Sequence, residues 1–170
     1  LSFPINYNHV ANEIDVTSLV DYILINSFVV CTDWINWNTS WWRGLDPAGT
    51  HQKWGYILWD EDATFNHYIN YTNVPSELPT ASPCYPEGIY LDPEGHIDLL
   101  NKLLENDEFR QYYITRYMDL LNTVFVEDDM IELLEEIENS IALDMGQHFI
   151  RWGGSLNEWH GNVQKIKDFI

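Results

Sequence analysis

Four oxygen-bearing side chains stand at spacings with a chemical meaning. Asp33 precedes Asn38 by five positions, and Asp60 and Asp62 close the run Trp59-Asp60-Glu61-Asp62. In phosphoryl transfer, a carboxylate at the end of a helix orients the attacking hydroxyl and accepts its proton. A side-chain amide a few residues later, and a carboxylate past the next hairpin, hold Mg²⁺ on the triphosphate. Magnesium takes hard oxygen ligands and keeps several waters, so one or two carboxylates plus substrate phosphates suffice. Asp-x-x-x-x-Asn alone recurs by chance, and its weight comes from the elements around it. Plainer readings stand beside this one. Asp33 suits a helix-terminal turn in which its carboxylate satisfies backbone donors. The acidic run resembles a calcium loop only in charge, because the spaced ligands and turn glycine of an EF-hand are absent.

The elements that must position these groups are legible. From Thr17 to Val30, the residues Leu19, Tyr22, Ile23, Asn26 and Val30 fall at helical spacing, with Asp15 or Thr17 available as N-cap. The helix is apolar nearly all round and is expected to be buried. Two strands are predicted at Ser40–Arg43 and Trp54–Trp59, joined through the turn-rich Gly44-Leu45-Asp46-Pro47-Ala48-Gly49. Such a hairpin sets the two acidic loops side by side. Alternation along the second strand points Asp60 into the cleft and Glu61 away from it. Residues 66–95 hold five prolines and no sustained period, a length that in a compact domain marks a functional or disordered loop.

Residues 96–170 read as helical throughout. Ile97, Leu100, Leu103 and Leu104 open the pattern. Phe109, Tyr113, Tyr117, Leu120, Leu121 and Val124 carry a second stripe, and Met130, Leu133, Leu134, Ile137 and Ile141 a third. Ser155 with Glu158 is a capping-box signature for a last helix ending near Phe169. The acidic run Glu127 to Glu138 fits a solvated helix face. The fold class expected is mainly α with a small β-hairpin. It is organised as 14–65 (helix, loop, hairpin and acidic loop), 66–95 (Pro-rich loop) and 96–170 (helical bundle).

Composition narrows the partners. With 8 Lys+Arg against 27 Asp+Glu the net charge is −19, which disfavours nucleic acid and anionic membrane surfaces. A chain of 170 residues with 45% apolar content suits one domain or a lobe of a larger one. The longest apolar run, Leu19 to Cys31, is too short and too polar to span a bilayer. The chain opens Leu-Ser-Phe-Pro without a basic, apolar leader, which fits a mature chain or an internal fragment. Cys31 and Cys84 could form one bridge, but two thiols establish no redox compartment. The six histidines lack zinc-ligand spacing, and nucleophile-elbow, Walker and Rossmann glycine motifs are absent. Trp34, Trp37, Trp41, Trp42, Trp54 and Trp59 surround the acidic loops. Core packing and a stacking platform for a base or sugar both account for them.

Longer runs carry a resemblance. Ile14 to Asn26 looks like the helix preceding the catalytic loop in the CotH family of atypical kinases, named for a spore coat protein and widespread as bacterial secreted or envelope proteins. Lys53-Trp54-Gly55-Tyr56-Ile57-Leu58-Trp59-Asp60-Glu61-Asp62-Ala63-Thr64-Phe65 resembles that family's K-W-x-x-x-P-W-D-x-D-x-x-F-G signature. Asn106-Asp107-Glu108-Phe109-Arg110, Arg116 to Thr123, and His148-Phe149-Ile150-Arg151-Trp152 resemble three further family segments, all in family order.

The resemblance implies the C-terminal lobe of a protein-kinase-like fold that transfers phosphate from ATP to Ser/Thr hydroxyls of a protein substrate, with Mg or Mn. It implies a secreted or cell-envelope location, a spore coat if the source forms spores. Asp33 then matches the catalytic aspartate. Asn38 and Asp60 match the residues that hold the metal and nucleotide, and Asp62 is the second acid of W-D-x-D. Leu58 departs from the family's usual Pro, and Asn66 from its frequent Gly. None of Lys53, Lys102, Lys165 and Lys167 sits in a credible phosphate-binding strand, so the N-terminal lobe is expected to be missing and the fragment alone inactive. A reading of a different class remains: a non-catalytic envelope module that holds a glycan or protein on its aromatic-rich face.

Overall fold

Asp15 opens the helix around which the first half is built. In the computed structural model, which describes residues 4–31, 34, 38–65 and 94–170, its carboxylate accepts a hydrogen bond from the Ser18 amide at 3.1 Å and caps α2, Val16–Phe28. The cap satisfies one of the amides a helix start leaves open. Leu19, Val20, Ile23 and Leu24 are buried on different sides of α2, as an all-round apolar sequence requires. Full burial of each contributes about 1.5–3 kcal/mol relative to exposure. The helix ends in two crossed hydrogen bonds, Cys31 N–H to the Asn26 carbonyl at 3.0 Å and Val30 N–H to that of Ser27 at 3.2 Å. This Schellman closure needs a left-handed residue, and Val30 supplies it at φ 50°, a costly conformation for a β-branched side chain.

Before α2 lies α1, Pro4–Glu13. Its apolar residues do not gather on one face, so no periodic pattern announces it; the start signal is Pro4 in the first helical position. After α2 come β1, Ser40–Trp42, and β2, Gly55–Ile57, antiparallel with Ser40 opposite Ile57 and Trp42 opposite Gly55. Both strands are shorter than the sequence pattern suggests. β2 packs on α2.

The remaining elements are α3 (His96–Leu104), α4 (Asp107–Thr123), α5 (Glu127–Ile141), α6 (Met145–Trp152) and α7 (Leu156–Phe169). The chain is thus mainly α-helical with one small hairpin. Gly95, at φ 82°, turns the backbone into α3, which buries Ile97, Leu100 and Leu103. Asn106 caps α4 by accepting from the Phe109 amide at 3.0 Å. Asp107 and Glu108 then favour the positive end of the helix, and Phe109 is fully buried. The Asn-Asp-Glu-Phe-Arg segment is therefore a helix start with its core anchor.

The described residues fall into two compact units, 4–64 with 94–117, and Phe65 with 118–170, so the boundary lies inside α4. In the first, Thr17 accepts from the Tyr112 hydroxyl at 2.9 Å, and Asp21 takes a bidentate pair from Arg116 at 2.6 and 2.8 Å. Equal steps of four residues on both helices mean that α2 and α4 run in the same direction where they meet. In the second, Ser155 caps α7 by accepting from the Glu158 amide at 3.2 Å, as its signature predicts. Lys167 pairs with Glu135 at 2.7 Å and His160 with Glu138 at 2.9 Å. Two stripes differ from the sequence reading. Leu120 is buried but Leu121 is 38% exposed, and Leu133, Ile137 and Ile141 of α5 are exposed although their spacing is apolar.

Candidate functional site

The hairpin register decides what stands at its open end. The last pair is Ser40 opposite Ile57; Asn38 lies two residues before it on one side and Asp60 three residues after it on the other. Both candidate ligands turn sharply there, Asn38 at φ 57° and Asp60 at φ 59°. Asn and Asp tolerate this left-handed region better than most residues. Together with Val30 at φ 50° and Phe65 at φ 53°, all four non-glycine left-handed residues among the described ones lie at the end of α2 or in the loops beyond the hairpin. Strained backbone of this kind concentrates where a protein holds functional groups.

Several side chains hold this end in place. Tyr22 of α2 hydrogen-bonds through its hydroxyl to the Thr39 hydroxyl at 3.1 Å, directly beside Asn38. Its ring packs on Tyr56 of β2 (centroids 5.0 Å apart) and on the buried Trp34 (5.8 Å), which follows Asp33 in sequence. Burial pushes the Tyr22 phenol up to about 12, and the carboxylate of Glu61 adds to the effect while the Thr39 hydrogen bond opposes it. The Tyr56 hydroxyl bonds to Nδ1 of the buried His96 at 2.9 Å, and His96 Nε2 meets Glu94 at 3.2 Å. Local spacing marks none of these contacts, because each joins residues at least 12 positions apart except the last.

The acidic loop departs from the orientation that strand alternation implies. Asp60 and Asp62 are exposed, while Glu61 is the half-buried member and lies close enough to raise the Tyr22 phenol. The reason is conformational. Extended structure stops at Ile57, and the left-handed Asp60 breaks the period of two before Glu61 is reached. Thr64 then closes a turn by donating to the Glu61 carbonyl at 2.8 Å. Asp33 lies outside the described residues, as do Trp37, Cys84 and the Pro-rich 66–93.

The tryptophans divide between the two readings. Trp34 is core. Trp41 and Trp42 of β1 are about half exposed, and Trp59 is 61% exposed beside Asp60. Trp42 packs against His51 with the rings tilted by 40°, and Arg43 sits 5.0 Å over the Trp54 ring.

The family model for the CotH kinase protein matches residues 3–170, from before α1 to the last residue of the chain. The chain belongs to the CotH kinase family. Every element described above, including the capped helices that bear the Asn-Asp-Glu-Phe-Arg and Arg116–Thr123 segments, falls within that match. No curated protein and no solved structure matches the chain. Membership suggests a kinase-like phosphotransferase and, with it, use of ATP and a protein substrate. Among the described residues no helix is long and apolar enough to cross a membrane.

The donor chemistry around the hairpin end can be tested against the divalent cation such a reaction uses. Among the described residues no group of three or more His, Cys, Asp or Glu side chains converges on a metal position. Asn38 and Asp60 instead offer one amide and one carboxylate oxygen, and Asp62 follows two positions on. Hard oxygen donors of this kind, completed by water and phosphate, suit Mg²⁺ or Mn²⁺ better than zinc or a calcium cage.

Proposed function

We propose that this CotH-family chain forms the lower lobe of a kinase-like fold that transfers the γ-phosphate of ATP to Ser or Thr hydroxyls of a protein, with Mg²⁺ or Mn²⁺. The observation that supports the reading is the hairpin itself: its last pair, Ser40 opposite Ile57, leads within two and three residues to Asn38 and Asp60, and the hairpin packs on the helix that precedes Asp33 in sequence. Asp33 accepts the proton of the acceptor hydroxyl as that oxygen bonds to the γ-phosphorus, the bond to the bridging oxygen breaks, and ADP leaves. Asn38 and Asp60 would hold the cation, with Asp62 as a further oxygen donor. When bound, the cation neutralises charge on the triphosphate. General-base assistance of the kind assigned to Asp33 contributes typically ~10²–10⁴-fold.

The lysines support a division of labour. Lys53 donates to the Ala11 carbonyl, Lys102 pairs with Glu105, Lys165 with Asn162 and Lys167 with Glu135. Lys53 and Lys102, the lysines of the unit that holds the hairpin, are thus engaged elsewhere, and in this reading the cation that grips the α- and β-phosphates comes from an upper lobe and residues 1–170 alone are inactive. A secreted or cell-envelope location belongs to the same proposal.

Calorimetric titration of ATP into the full-length protein, with and without Mn²⁺, tests the reading. Wild type should bind in a cation-dependent way, Asp60→Ala should lose that dependence, and Glu61→Ala should keep it. Loss in Glu61→Ala with retention in Asp60→Ala would show the acidic residues to be assigned one position out of register. The exposure of Trp42 and Trp59 supports a second reading, a glycan- or protein-binding module. Saturable polysaccharide binding by a protein that ignores ATP would favour it.

A further inference from the structure

The edge of β2 that faces away from β1 is closed in an unusual way. At Trp54, the backbone of the α1–α2 junction serves as a strand: Trp54 N–H donates to the Glu13 carbonyl at 2.8 Å, and its carbonyl accepts from the Asp15 amide at 2.9 Å. The next edge-facing residue is Tyr56, and by then the neighbouring chain has entered α2. Its backbone amides are committed to the helix and its cap, with the Ser18 N–H given to Asp15. The Ser18 side chain takes over. Its hydroxyl accepts from the Tyr56 amide at 2.8 Å and donates to the Tyr56 carbonyl at 3.3 Å. One hydroxyl, with one proton and two lone pairs, thereby serves both polar groups of a strand residue. Helix and strand are close here, since a Cβ on Gly55 would lie 3.4 Å from the Ser18 oxygen.

The position of this staple gives it a consequence. β1 and β2 are three residues each, too short to specify their own register strongly, and a slip of one residue turns every side chain to the other face. Ser18 grips Tyr56, the residue before the last of β2, and among the described residues no hydrogen bond from α2 to residues 57–60 follows it. Asn38 and Asp60 follow within two and three residues of the last pair of that register, Ser40 opposite Ile57.

We propose that Ser18 is a positioning residue for phosphotransfer, fixing the register in which the hairpin presents Asp60 and Asn38 to the nucleotide-bound cation. This rests on the phosphotransfer reading above. Groups that orient a metal ligand typically change metal affinity by ~10–100-fold when removed.

The test uses the full-length protein as wild type, Ser18→Ala, Ser18→Thr and Tyr112→Phe. The last removes a hydrogen bond to the adjacent Thr17 of the same helix without touching the hairpin. Three quantities are read: Mn²⁺ affinity in the presence of ATP, from the free Mn²⁺ signal in electron paramagnetic resonance; ATP affinity without metal; and thermal midpoint. Ser18→Ala should weaken Mn²⁺ binding about tenfold while ATP affinity without metal stays within about twofold, and Ser18→Thr, which keeps the hydroxyl, should restore it. Tyr112→Phe should lower the midpoint and leave Mn²⁺ affinity unchanged. Wild-type Mn²⁺ affinity in Ser18→Ala, with faster hydrogen exchange at the Tyr56 amide, would make Ser18 a structural contact only and overturn the proposal. If Ser18→Ala does not fold, Ser18→Cys keeps the shape, weakens both hydrogen bonds and faces the same two outcomes. Absence of cation-dependent ATP binding in wild type would instead overturn the phosphotransfer reading, and this inference with it.

Discussion

The ion pair between Asp21 and Arg116 sets how firmly the helix before Asp33 is tied to α4, and its size can be bounded from its geometry. Arg116 meets both carboxylate oxygens, Nε at 2.6 Å and Nη2 at 2.8 Å, and the two side chains keep 28% and 34% of their surface in solvent. Fully exposed pairs are worth about 0.2–1 kcal/mol. Removing one partner of a buried pair costs about 3–5 kcal/mol, because the other charge is stranded. A bidentate pair one-third exposed lies between, so Asp21→Asn should cost about 1–2 kcal/mol. For a chain of this size that is roughly 2–8 °C in Tm. The assay is a double-mutant cycle of Asp21→Asn, Arg116→Gln and both, followed by urea melts at about 0.1 M salt and repeated near 1 M. The screening length falls from about 10 to 3 Å over that range, yet a half-buried contact pair should keep most of its coupling. A coupling below about 0.3 kcal/mol, within the usual error of additivity, would refute the claim that this pair joins α2 to α4.

Two further outcomes follow from burial and from charge. Leu120→Ala should cost about 2–5 kcal/mol, while Leu121→Ala, 38% exposed, should cost under half as much; thermal melts giving the reverse order would put the wrong face of α4 inside. The Tyr22 phenol is raised from 10.0 to about 12 by burial, so its neutral form is the one the fold favours. That stabilisation is complete below pH 10 and disappears as pH rises from 10 through 12. It amounts to about 2–3 kcal/mol, and Tyr22→Phe should flatten the decline of stability over that window in urea melts. A wild-type decline no steeper than that of Tyr22→Phe would contradict the assignment.

What the sequence reveals and what it conceals follow one physical rule. Contacts made within a few residues leave a pattern: Asp15 before an apolar run caps α2, Ser155 three residues before Glu158 caps α7, and a Gly-Pro turn between aromatic runs makes the hairpin. Contacts between distant residues leave none. Ser18 and Tyr56 are 38 positions apart, and nothing near either marks the pairing. Strand alternation assigns Asp60 and Glu61 to opposite faces, but one left-handed residue at Asp60 resets the period, and Glu61 is half-buried while Asp60 is exposed. α1 has no apolar stripe to betray it. Leu121 shares helical spacing with Leu120, yet packing selects only one of two adjacent positions. The order of Asp33, Asn38 and Asp60 is legible because the hairpin between the last two is local.

Phosphate transfer itself is the decisive measurement. The full-length protein, given ATP labelled at the γ-phosphate, Mn²⁺ and a protein rich in exposed Ser and Thr, should incorporate label into that acceptor. Asp33→Asn should reduce incorporation by ~10²-fold or more while ATP affinity, measured on the same sample, stays near wild type. Wild-type turnover in Asp33→Asn would contradict the account.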